Sequence, residues 1–192
     1  AALSPGLAPP SFLKDLKRAG LSVFHHNLET APTHYAKVCT THPFEARRRT
    51  VLDAAEAGLH ICSGGIFGLG ESFRHRAELA MLWHDLPVDR IPVNFLNPIP
   101  GTPLQRMRKL RPMGALHILA ALRVLLPEKE ILVCGGRDAV LRSLQPLLFR
   151  AGANGIMTGN YLTTPGQGVE RDHGMLRDLE MDWGPDGVEK TA

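Results

Sequence analysis

Two rhythms of apolar residues alternate along the 192-residue chain. LSVFHH (21–26), LHICS (59–63), IPVNFL (91–96), EILVC (130–134) and NGIMT (154–158) are short apolar runs with the length and composition of strands. Longer stretches with helix start and stop signals lie between them. Ser11 is placed to cap a helix running to Arg18, which Gly20 ends, and Pro43 suits the first turn of a helix reaching Ala57, with Gly58 beyond it. Ser72 opens a helix to about Asp85, and Pro112 starts an apolar helix that ends at Leu126. Asp138 caps a helix to Arg150 with a kink at Pro146, and a last helix runs from about Glu170 to Leu179.

This strand–helix alternation predicts an α/β fold with a parallel sheet, its strands apolar on both faces and buried between layers. Strand starts are roughly 25 to 40 residues apart, as in the βα units of a barrel, and an eight-stranded barrel takes about 250 residues. Five units are too few to close one. The pattern therefore leaves open two forms: an open doubly wound sheet, or a partial (β/α)8 barrel with three units absent from the front.

Composition narrows the class. A hydrophobic share of 44% and a charged share of 21% are those of an ordinary globular domain, and a net charge of +3 gives no reason to expect nucleic acid. The basic clusters Arg47–Arg48–Arg49 and Arg106 to Arg111 read as solvated helix faces. No run approaches the roughly 20 apolar residues of a membrane helix. The opening AALSPGLAPP lacks the basic-then-apolar build of a secretory leader and begins without Met, so the chain is expected to start inside a longer protein. Three cysteines, Cys39, Cys62 and Cys134, make no disulfide framework and fit a reducing cytoplasm.

Polar and glycine residues gather just after each apolar run. His25, His26, Asn27 and Glu29 follow the first; Cys62 and GGIFGLGE (64–71) the second; Asn94 and Asn97 the third; Cys134, Gly135, Gly136 and Arg137 the fourth; Gly159, Asn160, Thr163 and Thr164 the fifth. In parallel α/β folds that edge of the sheet carries the site, so a ligand-binding enzyme is expected there. Adjacent strand residues point to opposite faces, which argues against His25 and His26 sharing one metal. GGIFGLGE lacks the acidic partner of a dinucleotide fingerprint, since the next strand ends toward Asn97. Thiolates at Cys62 and Cys134 suit a soft metal or iron–sulfur centre, whereas Cys39 lies in a connecting segment.

HHNLET (25–30), CSGGIFGLGE (62–71), IPVNFL with GTPL (101–104), CGGR (134–137) and AGANGIMTGNYLTT (151–164) together resemble the successive motifs of the biotin synthase family, within the radical S-adenosylmethionine (SAM) superfamily. The resemblance runs from about Phe12 to Trp183 and implies the partial barrel rather than the open sheet, with residues 1–183 its C-terminal part and 184–192 a loose tail. It implies sulfur insertion into dethiobiotin from an auxiliary iron–sulfur cluster, 2Fe–2S or another type. SAM cleaved at a 4Fe–4S cluster would supply a 5′-deoxyadenosyl radical. Asn27, Glu29, Arg47 and Ile66 would hold SAM. Asn27, Asn94, Thr163 and Thr164 would hold dethiobiotin. Cys62, Arg137 and, by hypothesis, Cys134 would ligate the auxiliary cluster, and no residue besides cluster ligands is expected to be catalytic. A flavodoxin or ferredoxin would deliver electrons, and the complete enzyme would be a homodimer.

Several departures from the family pattern matter. Cys-x3-Cys-x2-Cys, the segment for the 4Fe–4S cluster, does not occur in these residues, so the chain alone is expected to be inactive. Cys134 stands where many members carry another residue, and His25 stands in place of a common Asn. Two alternatives remain: another radical SAM enzyme, disfavoured by the pairing of Arg137 with Thr163–Thr164, and a non-catalytic half-barrel that binds SAM or a partner.

Overall fold

A computed structural model describes residues 1–161 and 164–181. All seven of its strands run parallel in one unclosed sheet: β1 (Ala2–Leu3), β2 (Val23–His25), β3 (His60–Cys62), β4 (Gly65–Phe67), β5 (Arg90–Phe95), β6 (Glu130–Val133) and β7 (Gly155–Ile156). The spatial order is β1-β2-β3-β5-β6-β7, with β4 also paired to β5. Each of the five apolar runs contains a strand. The extra edge strand, β1, comes from a two-residue segment too short to show a period.

β3 and β4 are one strand interrupted. Cys62 pairs with Arg90 and Gly65 with Val93, the same register on both sides of the gap. Pro92 opposite the gap has no amide proton to donate, so the ladder skips there. The Gly64 carbonyl instead accepts from Leu28 N at 2.9 Å and Glu29 N at 3.3 Å. Backbones come so close here that a Cβ on Gly64 would lie 1.8 Å from the Pro92 carbonyl oxygen. Three residues of the glycine-rich stretch, Gly65–Phe67, are therefore strand rather than loop.

Helices cover one face: α1 (Pro10–Arg18), α2 (Pro32–Tyr35), α3 (Phe44–Glu56), α4 (Phe73–Asp85), α5 (Pro112–Leu125), α6 (Arg137–Leu141), α7 (Leu147–Arg150) and α8 (Val169–Asp178). Against them pack Phe24, Ile61, Phe67, Ile91, Val93, Phe95, Ile131 and Val133, all buried. The alternate strand positions differ. His25, Arg90, Asn94, Glu130 and Leu132 are half-buried and His60 is exposed. The sheet thus has an apolar helix-facing side and a polar inner side, in place of the two apolar faces the runs suggested. Pure hydrophobic content hid the alternation because the inner positions mix Cys, Pro and Leu with charged residues.

Capping departs from expectation at two helices. Ser72 does cap α4, in a reciprocal exchange with His75. Ser11 lies inside α1, whose cap is Pro9, and Asp138 lies inside α6, whose cap is Gly136 at φ 75°. The single helix expected from 138 to 150 breaks at Arg142, where φ is 54°, so the interruption falls four residues before Pro146.

Candidate active site

The C-terminal ends of β2, β3–β4, β5 and β6 bring the predicted residues together through backbone contacts. Asn27 Oδ1 accepts from Gly64 N at 3.0 Å. Glu29 forms a parallel bridge with Gly65, and its carbonyl accepts from Ile66 N at 2.8 Å. It adopts φ 70°, a left-handed conformation that non-glycine residues rarely take outside functional turns. Asn94 sits in register between Ile66 and the residue after Val133, which is Cys134. Its Oδ1 accepts from Gly135 N at 2.9 Å and its Nδ2 donates to the Gly65 carbonyl at 3.4 Å. Asn94 therefore ties β4 to the turn after β6.

Arg47, from the first turn of α3, reaches across to this edge. Its Nε donates to the Tyr35 hydroxyl at 2.7 Å, its Nη1 donates to the Asn27 carbonyl at 2.8 Å, and Nη1 stands 3.7 Å from Glu29 Oε1. Tyr35 is steadied by His42, 2.9 Å from its hydroxyl. A cavity of about 280 Å³ opens between His25, His26, Asn27, Glu29, His42 and Arg47, roofed by Ser4, Gly6 and Leu7. Burial pushes the Glu29 carboxyl above its usual range, and Arg47 opposes the rise. Glu29 Oε2 is buried without a hydrogen-bond partner. Burial, then the Arg47 charge, lowers His26 to about 4, so its imidazole is neutral, and its Nε2 is also unpartnered. An unsatisfied carboxylate oxygen beside a guanidinium, at a cavity of this size, fits a zwitterion that carries hydroxyl groups.

Two thiols lie close by. Cys62 and Cys134 are buried and unpaired in disulfides, and Cys62 Sγ lies 3.2 Å from His25 Nδ1. Burial and then the neighbouring Cys62 raise the Cys134 thiol to about 12, against opposing pulls from Arg137 and Arg90. Two buried thiols within electrostatic reach of each other are the donor chemistry a soft iron–sulfur group takes up, since coordination deprotonates a thiol outright. Among the described residues, no group of three or more His, Cys, Asp or Glu side chains is placed to hold a metal ion.

Arg137 is fully buried, and its partners were not foreseen. Nη2 donates to both Asp172 oxygens, at 2.9 and 2.8 Å, and Nη1 donates to Gln145 Oε1. Asp172 sits on α8, 35 residues away, and in the sequence it reads only as an acidic residue in a helix's first turn. Glu71 likewise shows its role only in the fold. Its carboxylate accepts from Gly68 N at 3.0 and 3.1 Å and from Arg76 at 2.8 Å, closing the loop after β4. Thr164 is half-buried, and its carbonyl accepts from Tyr161 N at 2.9 Å. Thr163 and the 184–192 tail lie outside the described residues.

A parallel half-barrel with its polar groups at the C-terminal strand ends defines a class, and comparison with known proteins finds its likeness in the radical SAM superfamily. That superfamily's model matches residues 1–82, and the model of the Biotin and Thiamin Synthesis associated domain matches residues 92–182. Within that class, the chain is similar to biotin synthases over most of its own length. It is 50% identical to the biotin synthase of Desulfatibacillum aliphaticivorans over 166 residues, which are 86% of this chain and 51% of that protein. It is 50% identical to that of Syntrophus aciditrophicus over 176 residues, 92% of this chain and 53% of that protein. The chain thus spans about half the length of the curated relatives it matches. Among solved structures, methylornithine synthase superposes with a TM-score of 0.78 at 22% identity, over 94% of this chain and 58% of the other. The hydrogenase maturase HydG of Carboxydothermus hydrogenoformans gives 0.75 at 19%, over 94% and 47%. Both establish the fold alone.

Proposed function

We propose that the protein is a biotin synthase, inserting sulfur into dethiobiotin with SAM as the radical source. One observation carries the reading: Asn27, Glu29, Arg47, Ile66, Asn94, Cys62 and Cys134 gather at one sheet edge in a chain half-identical to biotin synthases. When bound, SAM with its 4Fe–4S cluster would supply a 5′-deoxyadenosyl radical, and the auxiliary cluster would supply the sulfur.

In this reading the chain's residues bind, orient and exclude water. The unsatisfied Glu29 carboxylate oxygen accepts from the ribose hydroxyls of SAM. Arg47, braced by Tyr35 and the Asn27 carbonyl, pairs with the SAM carboxylate, and Ile66 packs against the adenine. Asn27 and Asn94 orient the ureido ring of dethiobiotin, while Thr163 and Thr164 hold its carboxylate. Cys62, Cys134 and Arg137 hold the auxiliary cluster, whether of the 2Fe–2S or another type. The free thiols suit a reducing cytoplasm, where a flavodoxin or ferredoxin is the electron donor. No helix among the described residues is long and apolar enough to cross a membrane. The complete enzyme is proposed to act as a homodimer.

The test is anaerobic reconstitution of the product of the full-length gene, followed by an assay for biotin from dethiobiotin and SAM. Biotin formation is expected. Arg47→Ala should raise the KM for SAM by about tenfold or more, as loss of a charge-assisted pair implies. Absence of biotin from a cluster-loaded protein would reject the assignment.

A further inference from the structure

The Arg137 guanidinium is held by a closed ring of side chains that connects two parts of the site. Arg137 Nη1 donates to Gln145 Oε1, and Gln145 Nε2 donates to Gln167 Oε1 at 2.7 Å. Gln167 Nε2 donates to Asp172 Oδ1 at 2.7 Å, and Asp172 accepts back from Arg137 Nη2. Arg137 and Asp172 are both fully buried. An ion pair so desolvated is costly unless its remaining donors and acceptors are satisfied, and the two glutamines satisfy them. Arg137 Nε is the exception, buried with no partner.

The main chain fixes the other end of Arg137. Gly136, at φ 75°, would place a Cβ 1.9 Å from the Phe95 carbonyl oxygen, and Gly135 is bonded to Asn94. The base of the side chain is thus pinned beside Cys134 and Asn94, and its head is pinned by Asp172. Only Nε is left uncommitted by the bonds that hold it. Gln167 belongs to the connection from β7 to α8, which also carries Thr163 and Thr164.

We propose that Asp172 is a positioning residue. Through its ring with Gln145 and Gln167 it sets the direction of the Arg137 guanidinium and links it to the connection that bears the threonines. The proposal rests on the reading of Arg137 as a cluster-facing residue and of that connection as substrate-binding. Asp172 touches neither cluster nor substrate. It acts through Arg137 and Gln167, so a change there reaches both the auxiliary cluster and the dethiobiotin site while the SAM clamp of Glu29 and Arg47, on other elements, is left alone.

The experiment compares wild type, Asp172→Asn, Asp172→Glu and Gln167→Leu in the full-length protein with its clusters reconstituted. Mössbauer spectra report the auxiliary-cluster iron, and steady-state kinetics separate the KM for dethiobiotin from the KM for SAM. Asp172→Asn keeps the shape but not the charge. It is expected to alter the auxiliary-cluster spectrum and to raise the KM for dethiobiotin about tenfold, within the range for supporting residues of metal sites, with the KM for SAM within about twofold of wild type. Asp172→Glu should recover part of both effects. Gln167→Leu opens the ring but leaves the Arg137–Asp172 pair, so it should raise the KM for dethiobiotin with a smaller change in the spectrum than Asp172→Asn gives, which keeps the test alive if Asp172→Asn does not fold. A spectrum and KM values equal to wild type in Asp172→Asn, or an unmoved KM for dethiobiotin in Gln167→Leu, would overturn the proposal. Failure of wild type itself to hold an auxiliary cluster or make biotin would sink the functional reading instead.

Discussion

Cys39 lies on the connection between α2 and α3, with its sulfur 3.4 Å from the Thr41 hydroxyl. That hydrogen bond, then one from Tyr35, lowers its thiol to about 7, whereas burial holds Cys134 near 12. Thiolate is the reactive form. In the cluster-free protein, iodoacetamide at about pH 7.5 is therefore expected to label Cys39 first and leave Cys134 untouched, as peptide mass spectrometry would read. Comparable labelling of Cys134 would mean that its burial is not maintained. His26 makes the opposite kind of prediction. Its folded value of about 4 lies below the ordinary 6.5, so the unfolded chain binds more protons between those limits. The stability tied to neutral His26 is complete above pH 6.5 and is lost as pH falls toward 4. A tenfold change in proton affinity corresponds to about 1.4 kcal/mol, and discounting for solvent screening leaves a whole effect of about 2 kcal/mol. Urea unfolding of His26→Gln should show a shallower pH dependence across that window than wild type; equal slopes would assign the loss to other groups.

At the level of elements, the joints carry the tightest constraints. Gly136→Ala would drive a Cβ to 1.9 Å from the Phe95 carbonyl, at a residue already in a left-handed conformation. A loss of more than about 3 kcal/mol is expected, measurable as a lowered denaturation midpoint. Arg142 takes φ 54° and ψ −123°, a region kept almost wholly for glycine, so Arg142→Gly should stabilise by about 1 kcal/mol and raise Tm. Helices such as α4 were legible because Ser72 and the turn of apolar residues behind it agree. The strands inside the five apolar runs were legible from the Val, Ile and Leu of the runs around them. β1 was not, since two residues carry no period, and β4 was hidden because close backbone approach dictates glycine at 64 and 65, which in sequence looks like a loop. Of the site, Asn27, Glu29, Asn94 and the two thiols could be found by their place after each strand, whereas Arg47, in a basic cluster that reads as a solvated helix face, came only with the family resemblance. Asp172 could not, because its meaning depends on a partner brought to it only by folding.

The whole molecule is a sheet that does not close on itself. Among the described residues, the two outer strands, β1 and β7, each leave one side of their backbone without a strand partner. On the inner face His60 is exposed, and the Arg90–Glu130 pair at 2.7 Å is too solvated to contribute more than about 1 kcal/mol. That polar face contrasts with the apolar layer that Phe24, Ile61, Val93 and Val133 present to the helices. Open parallel edges recruit other strands, and the shortness of β1 and β7 limits this without abolishing it. Produced as these 192 residues alone, the protein is therefore expected to self-associate, eluting as a concentration-dependent mixture in size-exclusion chromatography with light scattering. Leu3, 40% exposed on β1, is the place to interfere, because a lysine on an edge strand would have to be desolvated for a second chain to pair there. Leu3→Lys should lower the associated fraction severalfold at equal concentration without changing the far-ultraviolet circular dichroism. A wild-type chain that stays monomeric and melts in one sharp transition would show that the open edges are sealed by the fold itself.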